Sequence, residues 1–359
     1  MGKVGLRKFR VVLVVLSLLL LTVVSACGNT NGVNSSKVST ADNQQKANGN
    51  GDLKLGYATC AHCLPMSLTP TYTENIKLKA TSFASGNDVL TALVSGSIDV
   101  AQVTYLHYIT ALDRGLDLVA ISGQVNGGSD IVISNNVSLK EDDWEGLKEL
   151  IKKKKKSGEK FRVAASRGNA QDIHMRGEFL KHDIDPTKDI EFINIANPAD
   201  HASSLESGKV DMISTVEPFA SQIRLSKVGK HFAYPYEQAA GKLTNLIVTR
   251  SDVVKAHKEE LQEVVNGVVK LVDDLDSNKQ IWLDVLKENT SLSEEVGEEA
   301  LKNAYPDYRM HQKETLAIVK MMKELNYIQS DVSKKAVKNM DYSFLIKATG
   351  KTEEELGKQ

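Results

Sequence analysis

Tyr57–Pro65 reads YATCAHCLP and sets two thiols and an imidazole, Cys60, His62 and Cys63, within four positions of a chain with only one other cysteine. Four kinds of chemistry suit that triplet. A C-x-x-C spacing permits a disulfide, although so short a loop restrains the unfolded chain little. Reduced, the thiols can serve as small buried hydrophobes. Two thiolates and an imidazole can also converge on zinc, copper(I), mercury or an organometal. The chain has no second C-x-x-C to complete a tetrahedral structural site, so Cys60, His62 and Cys63 would then recognise a metal as ligand. Finally, thiols can pack on a neutral or aromatic ligand or exchange with disulfides, because a C-x-x-C near a helix start has a lowered thiol pKa. No thioredoxin-like surroundings accompany this one.

Other reactive side chains form no such group. His107, His174, His182, His201, His231 and His257 are scattered without metal spacing and read as surface or satisfied core residues. No Ser-His-Asp order, phosphate loop or paired-acid constellation is present, so no catalytic residue and no cofactor is expected.

The elements that must position the triplet alternate between β-rich runs and helical patterns from Leu53 onward, the mark of an α/β chain with mainly parallel sheets. LKLGYA, IKLKATSF, IDVAQV, LDLVAIS and DIVIS predict strands, then FRVAAS, IEFINI, VDMIST and LTNLIVTR. From Ser251 the pattern is wholly helical, with HKEELQEVVNGVVKLVDDL the clearest amphipathic case. One unit occurs twice. LVSGSIDVAQVTYL from Leu93 and LESGKVDMISTVEPF from Leu205 share Leu, Ser-Gly and Asp in register, pairing Asp99 with Asp211. In each, a helix closes on Gly and feeds a strand.

Two such units predict two α/β lobes, residues 52–134 with 241–359 and residues 135–240, joined by hinge strands near DIVISNN and KLTNLIV. Ligands of open α/β sheets sit beyond the carboxyl ends of the strands. The loops there nominate Cys60, His62 and Cys63, Thr104 and Tyr105, Gly128, Ser129 and Asp130, Asn169 and Gln171, and Glu217. Asp130 and Glu217 offer carboxylates for a cationic end of a ligand, whereas Asp99 and Asp211 read as residues that pin turns.

Upstream, MGKVGLRKFR carries four cations and no acid, an apolar run follows, and VSAC ends at Cys27. This predicts a secretory signal over residues 1–26. V-S-A-C resembles a bacterial lipobox, which implies lipidation of Cys27. Residues 27–51, rich in Gly, Asn, Ser and Gln, predict a flexible tether to the membrane. Loss of Lys3, Arg7, Lys8 and Arg10 with the signal takes the net charge from −1 to −5, which argues against a nucleic-acid partner. Lys152–Lys156 follows an amphipathic stretch and reads as a solvated helix end.

ALVSGSIDVAQVTYLHYITALDRGLDLVAISG, SRGNAQDIHMRGEFLK and NPADHASSLESGKVDMISTVEPFAS resemble the nitrate/sulfonate/taurine group of solute-binding proteins that serve ABC importers, over roughly Leu53 to Arg250. G-x-x-D before a short strand and the Glu217-Pro218 pair are the most specific parts. The resemblance implies a two-lobed periplasmic-binding-protein-like fold, an extracytoplasmic, lipid-anchored monomer that closes over one small solute and delivers it to a permease with its ATPase, and no catalysis. Cys60 and Cys63 depart from a site for nitrate or sulfonate, which wants N–H groups, hydroxyls, amides or Arg. Two alternatives therefore stand beside it: a thiol-dependent binder of a soft metal or organometal through Cys60 and Cys63, and a thiamine-pyrimidine-related binding protein or enzyme.

Overall fold

The computed structural model describes residues 52–359. The signal peptide, Cys27 and the tether expected from the sequence lie outside the described residues.

Among the described residues, eleven strands form two sheets. In chain order they are β1 (Leu53–Ala58), β2 (Leu78–Phe83), β3 (Val100–Thr104), β4 (Leu118–Gly127), β5 (Ser129–Ser134), β6 (Phe161–Ala165), β7 (Ile190–Asn194), β8 (Met212–Val216), β9 (Gly229–Ala233), β10 (Asn245–Arg250) and β11 (Ala304–Asp307). The first sheet has the order β11-β4-β10-β3-β1-β2 and the second β7-β6-β8-β5-β9.

Both sheets follow one plan. β2, β1 and β3 run parallel with β10 antiparallel beside β3. β7, β6 and β8 run parallel with β5 antiparallel beside β8. In each case the antiparallel strand has just arrived from the other sheet. The repeated segments become β3 and β8, at equivalent places. Asp99 accepts from the Lys54 N–H at 2.9 Å, and Asp211 accepts from the Arg162 N–H at 2.8 Å, so each carboxylate locks the neighbouring parallel strand at its start. Gly96 and Gly208, which close the preceding helices, have φ of 77° and 66° and so need the freedom glycine has there.

The first crossing comes earlier than the sequence suggests. Ser129–Ser134, expected with the first lobe, pairs with β8 and β9, so the chain changes sheet at Gly128 and not after Ser134. β4 and β5 are both almost fully buried, and a buried apolar run does not say which sheet it joins. The return crossing occupies residues 234–244. β9 and β11 were not legible either. β11 is AYPD, an edge strand with a proline, pairing antiparallel with β4 in a region that reads as wholly helical.

One core fills the first sheet and the C-terminal helices, and two clusters cover the faces of the second sheet. The Lys258–Ser277 helix buries Leu261, Val264, Val265, Val268, Leu271, Val272 and Leu275 at helical spacing against the first core. The Ala170–Lys181 helix is buried from Ala170 to Phe179. Its Ala170 and Ile173 join the first core, whereas Met175 and Phe179 join the second, so this helix ties the two halves together.

Candidate functional site

The YATCAHCLP loop follows β1, and Cys60 is bonded to Cys63 in a disulfide with Cα atoms 4.9 Å apart. The joined sulfurs offer no thiolate, so soft-metal capture by Cys60, His62 and Cys63 is not open to the oxidised protein. The loop is clamped by backbone contacts from distant elements. The Ala61 N–H donates to the Glu217 carbonyl at 3.1 Å, Trp282 Nε1 donates to the Ala61 carbonyl at 2.7 Å, and Gln124 Nε2 donates to the His62 carbonyl at 3.0 Å.

His62 is buried, and its Nδ1 has no hydrogen-bond partner. Burial pushes its pKa down to about 4, so the ring is neutral at ordinary pH. Gly128, where the chain changes sheet, passes against this ring. A Cβ there would lie 2.3 Å from His62 Nδ1, and φ is +77°, so both space and backbone call for glycine.

A cavity of about 290 Å³ opens in front of the disulfide, between residues of both sheets. From the first sheet come Cys60, His62, Cys63, Ser85, Gln102, Thr104, His107 and Asn245; from the second come Asn169, Gln171, Asn197 and Phe219. Strand register explains part of the set. Asn245 stands opposite Thr104 across the β10–β3 ladder, so both reach the same end of the sheet.

Helix starts supply the rest. Ser85 caps Gly86–Val94, Thr104 caps Tyr105–Asp113, and Asn169 occupies the cap position of Ala170–Lys181. The first turns of Gly86–Val94 and Ala170–Lys181 therefore bring partly positive helix ends to the cavity from both sides, whereas at Tyr105–Asp113 the Tyr105 and His107 N–H groups already donate to the Thr244 carbonyl and Thr104 Oγ1. Thr104 Oγ1 lies 2.8 Å from His107 Nδ1, and the Thr104 N–H donates to the same nitrogen at 3.3 Å, so Nδ1 accepts. His107 Nε2 then donates to Asn87 Oδ1 at 3.2 Å. Burial lowers the His107 pKa to about 4 as well. With both imidazoles neutral and no Asp, Glu, Lys or Arg in the lining, the wall carries no formal charge. Two buried polar atoms on lining residues lack partners: His62 Nδ1, which faces the Gly128 backbone, and Asn245 Oδ1. Such groups cost free energy until something pairs with them.

Six residues chosen from the sequence therefore meet at the cavity: Cys60, His62, Cys63, Thr104, Asn169 and Gln171. Five do not. Tyr105 is fully buried in the first core. Gly128 lies beneath His62, and Ser129 is held in β5, its carbonyl accepting from Asn303 Nδ2 at 2.9 Å and from the Tyr236 hydroxyl at 3.0 Å. Asp130 and Glu217 are buried beside Arg224. Asp130 pairs with Arg224 and accepts from His231 Nδ1 at 2.7 Å. Glu217 accepts from the Ser221 N–H at 2.9 Å and from Arg224 Nη2 at 3.2 Å. Burial raises the Glu217 carboxyl to about 7, with Arg224 opposing and Asp130 adding to the rise. A guanidinium seven residues along the next helix claims both acids, and sequence order does not show that. Gln102, Asn197, Phe219 and Asn245 also line the cavity without being expected there, and so does His107, whose sequence setting suggests a surface or satisfied core histidine. The alternation of IDVAQVT could have nominated Gln102, whereas Asn245 required knowledge of the β10 register.

Comparison with curated protein sequences finds no match. Solved structures share the fold. The zinc-bound ligand-binding component of an ABC-type import system from Staphylococcus aureus is 16% identical, with a TM-score of 0.69 over 84% of this chain and 99% of that one. The periplasmic nitrate-binding protein NrtA from Synechocystis PCC 6803 is 16% identical, with a TM-score of 0.71 over 83% and 88%. The periplasmic aliphatic sulphonate-binding protein SsuA from Escherichia coli is 18% identical, with a TM-score of 0.65 over 79% and 96%. The two-sheet α/β architecture is thus the periplasmic binding protein fold. The family model described as NMT1-like matches residues 46–282, more than half of the chain, and the protein belongs to the NMT1-like family.

Proposed function

We propose that this protein is the solute-binding component of an ABC importer, closing two lobes over a small solute with an electron-rich oxygen head of the nitrate or sulfonate kind. The observation that carries this reading is the cavity itself: helix N-termini from both sheets, Gly86–Val94 from the first and Ala170–Lys181 from the second, open on an uncharged cleft. Oriented N–H groups favour oxyanions without a counter-charge. The unpaired acceptor Asn245 Oδ1 suits a donor elsewhere on the solute, such as the amine of a taurine-like molecule.

The lobes would be the two sheets with their helices, hinged at Gly128 and over residues 234–244. Solute that contacts both sides favours the closed form by its differential affinity. The partners are a permease and its ATPase, and the protein acts as a monomer without catalysis. The basic leader, the apolar run and V-S-A-C support an extracytoplasmic protein lipid-anchored at Cys27. The Cys60–Cys63 disulfide accords with an oxidising exterior. Among the described residues no helix is long and apolar enough to cross a membrane.

A thermal-shift panel of nitrate, taurine, alkanesulfonates and a neutral pyrimidine tests the reading. A true solute at about 100 times its Kd adds roughly 2.7 kcal/mol to stability, and Asn245→Leu is expected to abolish the shift. No response from any member, or a shift that survives Asn245→Leu, refutes the site. A response to the pyrimidine alone refutes the oxyanion head.

A further inference from the structure

The Ala170–Lys181 helix meets the cavity at Asn169. Roughly 14 Å further along it, at ~1.5 Å per residue, lies a group of side chains that the solute site does not use. Glu178 and His182 stand one turn apart, and Glu237 comes from the 234–244 crossover; their ligand atoms all lie within 4.8 Å of one another.

Glu178 is 1% exposed. Its Oε1 accepts from the backbone N–H groups of Glu237 and Gln238, the latter at 2.8 Å, whereas its Oε2 is buried with no hydrogen-bond partner. The His182 ring stacks on Trp144, with centroids 4.2 Å apart and planes 3° from parallel. The stack leaves Nε2 buried, unpartnered and 3.8 Å from Glu178 Oε2, too far for a hydrogen bond.

An orphaned carboxylate oxygen and an orphaned imidazole nitrogen aimed at one point have a common remedy in a divalent cation. Glu237 supplies a third donor. It is exposed and now pairs with Lys181, a surface pair worth at most about 1 kcal/mol and easily displaced. Ligands at ~2.0–2.2 Å from a tetrahedral zinc lie about 3.4 Å apart, so a movement on the order of 1 Å, available to Glu237, completes the set.

We propose that Glu178, His182 and Glu237 form a binding site for zinc or a similar divalent cation, completed by water, that fastens the 234–244 crossover to the helix bridging both cores. The crossover is one of two links between the sheets, so occupancy would stiffen that link at a distance from the solute.

Isothermal titration of the oxidised protein with zinc chloride, beside Glu237→Gln, His182→Gln and Cys60→Ser/Cys63→Ser variants, tests this. The expected result is one zinc per chain in wild type and in the cysteine variant, weakened at least about tenfold by Glu237→Gln and by His182→Gln. Trp144 emission should change on binding. Glu237 is exposed, so its substitution leaves the fold intact, which circular dichroism checks. Absence of saturable binding overturns the proposal. So does binding that survives both Glu237→Gln and His182→Gln, or that disappears only with the cysteines.

Discussion

Glu217→Gln isolates the buried ion cluster beside the cavity. In the native protein the Glu217 carboxyl titrates at about 7, above its ordinary 4.5, because burial disfavours its charged form and Asp130 lies close, against the pull of Arg224. A folded-state pKa raised above the unfolded value means that the native state holds the proton more tightly between those limits. The stability this contributes is complete below pH 4.5 and is lost as pH rises through about 7. At ~1.36 kcal/mol per pH unit the loss approaches about 3 kcal/mol. Glutamine cannot ionise and keeps an oxygen to accept from the Ser221 N–H and hydroxyl, but its amide nitrogen then faces the Arg224 Nη2 donor. The stability of Glu217→Gln relative to wild type should therefore rise by about 3 kcal/mol between pH 4.5 and pH 8, on top of a pH-independent cost from the amide that faces Arg224. Urea unfolding at pH 4.5, 6 and 8 measures this. His231, whose pKa is raised in the native state by Asp130 and Glu141 against its burial, also contributes stability that is lost as pH rises, but it does so in both proteins and leaves the difference. Parallel pH profiles for the two proteins would refute the reasoning.

Three other substitutions have definite expectations. Gly128→Ala places a Cβ 2.3 Å from His62 Nδ1 at a positive φ, and should cost about 3 kcal/mol or more in denaturant unfolding; a neutral result would mean that His62 is free to move. Trp282→Phe removes the donor to the Ala61 carbonyl, with an expected loss of about 1–3 kcal/mol and weaker solute binding, because the disulfide loop loses a clamp; unchanged affinity would separate that loop from the site. Cys60→Ser/Cys63→Ser opens a four-residue loop that other bonds also hold, so unfolding should lose at most about 2 kcal/mol. Collapse of the fold would show instead that the bridge is structurally essential.

Much of this protein is determined by its sequence alone, because the signals are local. Alternation and helical period in LKLGYA, FRVAAS and Lys258–Ser277 follow from side-chain spacing along one segment. The repeated Gly and Asp of the β3 and β8 units are local too, since a left-handed helix end and a carboxylate at a strand start act within a few residues of their own backbone. Loops at strand ends could likewise be named in advance, which is why Cys60, Thr104, Asn169 and Gln171 were legible. What remained belongs to interactions between segments far apart in the chain. Whether Ser129–Ser134 joins one sheet or the other depends on its ladder partners, β8 and β9. Whether Asp130 and Glu217 face the cavity or Arg224 depends on which way the following helix packs. Asn245 enters the site only through its register against Thr104, and Glu237 reaches Glu178 and His182 only because the crossover folds back on the bridging helix. Burial, pairing and the lowered histidine pKa values arise when distant segments exclude water together, and only the tertiary structure decides which segments those are.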